Sequence, residues 1–263
     1  MKKLIFTLCL AATFTFTSCI NILEEMFLNK DGSGTYSITV DMSALMDESM
    51  QDMLKSFAQD EDDAEAEEEE IAEEPTETDT VMYFKDMPVE QRGELSRPDF
   101  YDKVSMKLQV SDSKELMIMS FIVDFDNAAD IDYFLQNMDK MMQAGQNEEN
   151  PMGGMGGGSD GMLGGLMPAA GVKDYQLFEI GKKMLVRAKA PAPEAEEDES
   201  MAMLRMMLAG AEYKTVYHLP GKVKKVSNPD AQIDGKTVTI EGDLIEVMEG
   251  KADLSTTVKF KKN

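Results

Sequence analysis

The sequence lacks tryptophan and has only one histidine and two cysteines among its 263 residues. A zinc site of Cys and His, a Cys/His nucleophile pair and a disulfide framework all need more of these side chains. Basic residues are also scarce, at 26 against 50 acidic ones, which gives a formal net charge of −24. Because such a surface repels polyanions, we expect no nucleic-acid binding. We also predict no cofactor, since the residues for most familiar catalytic sites are missing.

The first residues have the features of an export signal. Lys2 and Lys3 form a positive start, and the apolar stretch 4–16 is shorter than the roughly 20 residues that a membrane-spanning helix needs. We therefore predict that residues 1–18 are a lipoprotein signal peptide that is removed on export. Removal of the two lysines leaves 24 basic against 50 acidic residues, a formal charge of −26.

Thr17, Ser18 and Cys19 follow the apolar stretch. A small residue directly before a cysteine at this place resembles the lipobox of bacterial lipoproteins. The resemblance implies that a diacylglyceryl group is added to Cys19, that the signal is cleaved before it, and that the new amino terminus is acylated. Acyl chains hold a protein on a membrane by about 0.8 kcal/mol per buried CH₂. The alternative is an ordinary cleaved signal that leaves Cys19 as a free thiol.

We predict that the mature chain, 19–263, forms a single domain with three disordered insertions. The first, at about 59–79, contains thirteen acidic residues and no basic one, so charge repulsion outweighs burial. The second, at about 144–171, has glycine at ten of its 28 positions. A third, at about 190–197, is short and rich in Pro, Ala and Glu.

Outside these insertions apolar and polar residues mostly alternate, which is typical of half-buried strands. The alternation is clear at 35–42, 103–110 and 252–261, and it is weaker at 173–180, 183–189, 212–219 and 236–241. Segment 116–125 carries apolar residues on both faces, so we predict a central strand that is covered on both sides.

Three helices are predicted beside these strands. Asn127 is a good N-cap for a helix whose apolar residues, from Ile131 to Met142, keep the spacing of one helical face. A second helix opens at Ser43, and a third covers 198–208 with acidic residues at its N-terminal end. The sequence thus predicts an α+β fold, with one mainly antiparallel β-sheet and about three helices packed on it.

Few residues are candidates for a catalytic or metal site. The segment from Asn29 to Gly34 superficially resembles an EF-hand calcium loop, but position twelve, which needs a glutamate, is Val40, so we interpret it as a turn and predict no metal site. His218 lies in an alternating segment, and no spacing indicates the partner that a general base needs. Carboxylates are concentrated in the predicted insertions, whereas catalytic groups need rigid support. We therefore assign no catalytic residue and expect that the protein is not an enzyme.

Methionine is abundant, with 24 residues. Most fall on predicted core-facing positions, where this flexible side chain fills space; examples are Met117, Met119, Met138 and Met141. Thioethers also bind Cu(I), and the methionines of the glycine-rich insertion are free to do so. A Cu(I)-binding protein is therefore a weaker alternative function.

Motifs near both ends of the chain resemble those of a known family. The sequence NKDGSGTY at 29–36 follows soon after the lipobox, and LPGKV at 219–223 and DGKTV at 234–238 lie near the other end. These motifs resemble the turns and strands that open and close the LppM-type lipoprotein domains. The resemblance implies an α+β envelope lipoprotein without established catalysis, and it carries over no catalytic residues.

The leading interpretation is a membrane-anchored, non-catalytic lipoprotein of a bacterial envelope that acts as a binding or interaction module. Its partner would be another envelope protein. The main alternative is a carrier of an apolar or lipid ligand in a methionine-lined pocket between sheet and helices. The residue after the predicted lipidation site is Ile20. In some bacteria an aspartate at that position would disfavour transfer of the lipoprotein to the outer membrane. We therefore expect an outer-membrane location, on the periplasmic or the surface face.

Overall fold

The computed structural model describes residues 20–47, 77–88, 95–138, 140–141, 175–190, 205 and 208–261. Within these residues, twelve strands form two sheets. The strands are β1 (Asn21–Leu28), β2 (Gly34–Asp41), β3 (Glu77–Tyr83), β4 (Val104–Ser111), β5 (Leu116–Phe125), β6 (Phe178–Gly181), β7 (Met184–Arg187), β8 (Glu212–His218), β9 (Val223–Val226), β10 (Gln232–Asp234), β11 (Thr237–Asp243) and β12 (Thr256–Phe260). The α-helices are α1 (Ala128–Gln136) and α2 (Leu244–Met248), and short 3-10 helices lie at Ser43–Met46, Phe84–Asp86, Pro98–Lys103 and Asp112–Lys114.

The large sheet has the strand order β10-β11-β8-β1-β2-β5-β4-β3, and the small sheet has the order β6-β7-β12-β9. Neighbouring strands are antiparallel except β1 and β8, which are parallel. The predicted α+β class with mainly antiparallel sheets is confirmed, but the expectation of a single sheet is wrong. Parallel pairing is possible because a long stretch of chain separates β1 from β8, so no hairpin fixes their direction.

One face of the large sheet is buried and carries the core. In β2, for example, Tyr36, Ile38 and Val40 are buried and the residues between them are half-buried. The small sheet and α1 together cover this face, since the Tyr36 ring packs edge-on against Phe178 of β6 and Phe134 of α1, with centroid distances of 5.7 and 6.3 Å. The core therefore lies between the two sheets and continues under α1.

β5 is an inner strand between β2 and β4, as its apolar composition predicts. Its two faces differ, because Met119, Phe121 and Val123 are buried whereas Ile118 and Ile122 are only half-buried. The prediction that both faces are covered is thus wrong. The apolar residues of the second face contact solvent on the open side of the sheet.

The helix predicted after Asn127 is confirmed as α1. The Asn127 side chain accepts a hydrogen bond of 3.0 Å from the amide two residues later, and Ile131 and Phe134 on the predicted face are buried. At Ser43 the structure has a short 3-10 helix. The rest of that predicted helix, and nearly all of the one at 198–208, lie outside the described residues.

The three predicted insertions also lie almost entirely outside the described residues. β3 begins at Glu77, so the last three positions of the acidic stretch 59–79 belong to an edge strand of the large sheet. No helix in the described part of the chain is long and apolar enough to cross a membrane.

Candidate functional site

The predicted lipidation site, Cys19, lies directly before the first described residue. Ile20 is fully buried, at 0% exposure, and β1 starts at Asn21. In the sequence, only Ile20 separates Cys19 from this inner strand of the large sheet. A lipid on this residue would hold that end of the sheet, the anchor end, against a bilayer.

The calcium-like segment is a turn between β1 and β2, as predicted. One carboxylate oxygen of Asp31 accepts hydrogen bonds from the hydroxyl and amide of Ser33, at 2.7 and 3.1 Å, and these bonds lower the pKa of Asp31. Val40, where a calcium loop needs its glutamate, is buried in β2. Gly34 is required by packing, because a Cβ there would lie 2.0 Å from the carbonyl oxygen of Phe27.

His218 has a partner that the sequence does not indicate. Its Nε2 lies 2.8 Å from Oε1 of Glu25, on the neighbouring parallel strand β1. The Phe27 ring stacks on the imidazole at 4.2 Å, and the Thr237 hydroxyl lies 3.5 Å from Nδ1. These residues lie on the open face of the large sheet, where paired side chains of adjacent strands stabilise a sheet. We therefore assign the pair to sheet stabilisation.

A buried ion pair joins the two sheets. Arg187 of β7 donates hydrogen bonds to both carboxylate oxygens of Glu24 in β1, at 2.8 and 3.3 Å, and the Tyr213 hydroxyl donates a third at 2.7 Å. Glu24 and Arg187 are 1% and 2% exposed. Glu24 occupies an inward position between Ile22 and Met26. An isolated charge at such a position is strongly unfavourable, so each ion depends on the other.

This pair shifts the ionisation of its neighbours. Burial alone would lower the pKa of Arg187, but the Glu24 carboxylate raises it well above its ordinary value. Burial, with the Glu24 charge adding to it, raises the pKa of each nearby tyrosine well above its ordinary value. The tyrosines are Tyr36, Tyr213 and Tyr217. Within the described part of the chain three buried hydroxyls close to this region lack a hydrogen-bond partner, those of Thr215, Tyr217 and Thr256.

A cleft of about 560 Å³ lies between β11, α2 and the segment before β12. Its walls carry four carboxylates, those of Asp230, Glu241, Glu246 and Asp253, together with Lys251. Its volume suits a small molecule, but such sites are mainly apolar with a few polar groups, and this one is mainly polar. We assign no ligand to it.

Within the described residues, exposed lysines are concentrated around the small sheet. Lys225 and Lys259 stand directly opposite each other on β9 and β12. The exposed lysines of this region are Lys30, Lys182, Lys183, Lys222, Lys224, Lys225, Lys236, Lys259 and Lys261. We call these nine residues the distal lysine cluster.

The methionines largely fill the core, as predicted. Met119, Met138 and Met141 are at most 2% exposed, and Met117 is half-buried. Neither the cleft described above nor a smaller cavity of about 120 Å³ near Lys30 is lined by methionine. The methionines of the glycine-rich insertion lie outside the described residues. Elsewhere in the described ranges, His, Cys, Asp and Glu side chains form no group of three that could hold a metal ion.

Comparison with known proteins gives one distant structural similarity. No protein-family model matches the sequence, and no curated protein matches it. The structure is similar to the NMR structure of the folded domain of the LppM protein from Mycobacterium tuberculosis, over 93% of this chain and 90% of that one. The TM-score is 0.36 and the sequence identity is 9%. A similarity this weak does not establish a family, and we draw no function from it.

Proposed function

We propose that this protein is a non-catalytic lipoprotein of a bacterial cell envelope, anchored through Cys19, that acts as an interaction module. The observation that supports the proposal is that Ile20, which follows Cys19 in the sequence, is buried directly before an inner strand. A tether at this position gives the folded domain one defined end at the bilayer. The lipobox-like residues before Cys19 support the same conclusion.

The polar pairs of the described residues support the non-catalytic part of the proposal. Glu24 and Arg187 are buried and satisfied by each other, and His218 pairs with Glu25 on an open sheet face. A general base acts on a substrate held within hydrogen-bond reach in a suitable pose. Structural pairing accounts for both sets of residues without a reaction. For the carrier alternative, neither of the two cavities described above has methionine in its walls.

The anchor is tested by expressing Cys19→Ala and Cys9→Ala variants in the native host. Cys9→Ala is the matched control, because it removes the other cysteine, which lies within the predicted signal. We expect Cys19→Ala to leave the membrane fraction and Cys9→Ala to stay there, and mass spectrometry of the native protein should find a chain that begins at an acylated Cys19. A Cys19→Ala protein that still sediments with membranes, or a native chain with a free thiol, contradicts the proposal.

A further inference from the structure

The distal lysine cluster lies at the end of the molecule opposite the anchor. Lys30 is in the turn that follows β1, and an eight-residue strand spans about 25 Å at roughly 3.3 Å per residue. Lys30 and Lys182 line the same small cavity with Phe260. The amide of Lys261 donates to the carbonyl of Lys222 at 2.9 Å. The lysines of five separate segments therefore converge on one end.

The lysine side chains of this cluster form no ion pair with another described residue. Lys225 and Lys259 are directly opposite across an antiparallel pair, an arrangement that destabilises a sheet. Lysines often protect the edge of a sheet from pairing with other chains, and this accounts for those of β9. It does not account for Lys259, because β12 lies between β7 and β9. An unfavourable grouping of like charges within a chain of net charge −24 points to an anionic partner.

The shape of this end favours a surface over a polymer. The lysines project from turns and from an exposed sheet face, whereas proteins that bind anionic chains usually line a groove. Two of the four most exposed large apolar residues described are close in sequence to lysines of the cluster, Phe27 at 47% and Ile233 at 53%. They precede Lys30 and Lys236 by three residues each. Lysines with adjacent exposed apolar side chains are typical of surfaces that bind the headgroup region of a bilayer.

We propose that the distal lysine cluster docks on the headgroups of an anionic phospholipid bilayer, in trans to the bilayer that holds Cys19. The trans direction rests on the proposed lipid anchor, but the binding does not. Asp31 and Asp234 lie in the same turns as Lys30 and Lys236. The Asp31 carboxylate is engaged by Ser33.

The binding is tested with the mature chain carrying Cys19→Ala, which has no lipid. It should sediment with vesicles of phosphatidylcholine and phosphatidylglycerol in equal parts and not with phosphatidylcholine alone. Each lysine near an anionic surface contributes about fivefold to affinity, so Lys225→Gln with Lys259→Gln should weaken binding about 25-fold. Lys114→Gln with Lys140→Gln is the matched control, because it removes the same charge from exposed lysines outside the cluster.

Several results would overturn the proposal. Equal binding to both kinds of vesicle, or equal loss in the two double variants, means that the cluster does not recognise anionic headgroups. Binding of soluble polyglutamate through Lys225 and Lys259, without vesicle binding, identifies an acidic polypeptide as the partner instead.

The trans direction has its own measurement. Lipidated protein is inserted into phosphatidylcholine vesicles, which are then mixed with vesicles that contain phosphatidylglycerol. We expect the two kinds of vesicle to cluster, and light scattering measures the clustering. If the lipid-free chain binds vesicles but the lipidated protein does not cluster them, the trans arrangement is wrong. If the native protein carries no lipid, the anchor proposal is wrong, but the vesicle result for the lipid-free chain still holds. The failure of one proposal can therefore be distinguished from the failure of the other.

Discussion

Replacement of Arg187 by methionine should destabilise the protein more than most single changes. The substitution leaves the Glu24 carboxylate buried, at 1% exposure, with only the Tyr213 hydroxyl as a hydrogen-bond donor to it. Removal of one member of a buried ion pair costs about 3–5 kcal/mol, a large part of the roughly 5–15 kcal/mol that stabilises a typical domain. With a urea m-value of about 3 kcal/mol per M, the unfolding midpoint should fall by about 1–1.7 M.

Two further variants separate the ion pair from simple packing. Tyr213→Phe removes one hydrogen bond to a charged group and should cost about 1.5–3 kcal/mol, less than Arg187→Met. Replacement of both ions, Glu24→Leu with Arg187→Met, removes the unpaired charge and should restore the free energy of unfolding to within about 1 kcal/mol of the wild type, or raise it. The two sites interact directly, so their effects are not additive.

Urea unfolding followed by far-ultraviolet circular dichroism measures all four proteins, since the chain has no tryptophan to report on unfolding. A double variant no more stable than Arg187→Met alone would show that the unpaired Glu24 charge is not the source of the loss. A cost below about 1 kcal/mol for Arg187→Met would show that Glu24 is hydrated in solution, in conflict with its burial.

Two other predictions concern the tyrosines and the glycines. The three tyrosines around Glu24 have raised pKa values, so above about pH 10 the unfolded chain loses protons that the folded protein keeps. The free energy of unfolding should therefore be unaffected below that pH and fall above it by up to about 4 kcal/mol per pH unit. A urea midpoint that stays constant between about pH 9 and 11 would contradict this prediction. Gly34→Ala and Gly221→Ala place a Cβ 2.0 and 1.8 Å from backbone oxygens, so each should lower the free energy of unfolding by at least about 3 kcal/mol. Gly181→Ala is the control, because its Cβ meets nothing closer than 3.6 Å, and it should lower the free energy by less than about 1 kcal/mol in the same assay.

The sequence predicts β2, β4 and β5 closely because each has an uninterrupted row of apolar residues on one face. β8 is predicted as well, although the polar Thr215 lies between Tyr213 and Tyr217 on its buried face. β1 is missed for a definite reason: Glu24 interrupts that row between Ile22 and Met26, and a charged residue in an alternating pattern indicates an exposed position. Its partner Arg187 lies 163 positions later in the sequence. No local spacing connects them, and the contact forms only when the small sheet packs on the large one. The pairing of His218 with Glu25 is hidden for the same reason.

The distal lysine cluster could not be predicted from the composition either. Each contributing segment alone carries ordinary exposed lysines, and the net charge of −24 indicates a negative surface. The buried ion pair relates this cluster to the proposed lipid anchor. Glu24 belongs to β1, which starts two residues after Cys19, and Arg187 pairs directly with Thr256 of β12, the strand that carries Lys259. Because a two-bond contact between carboxylate and guanidinium is satisfied in only one arrangement, it fixes how the small sheet lies on the large one. The same contact therefore keeps the lysines at the end of the molecule away from the start of β1, where the lipid anchor is proposed.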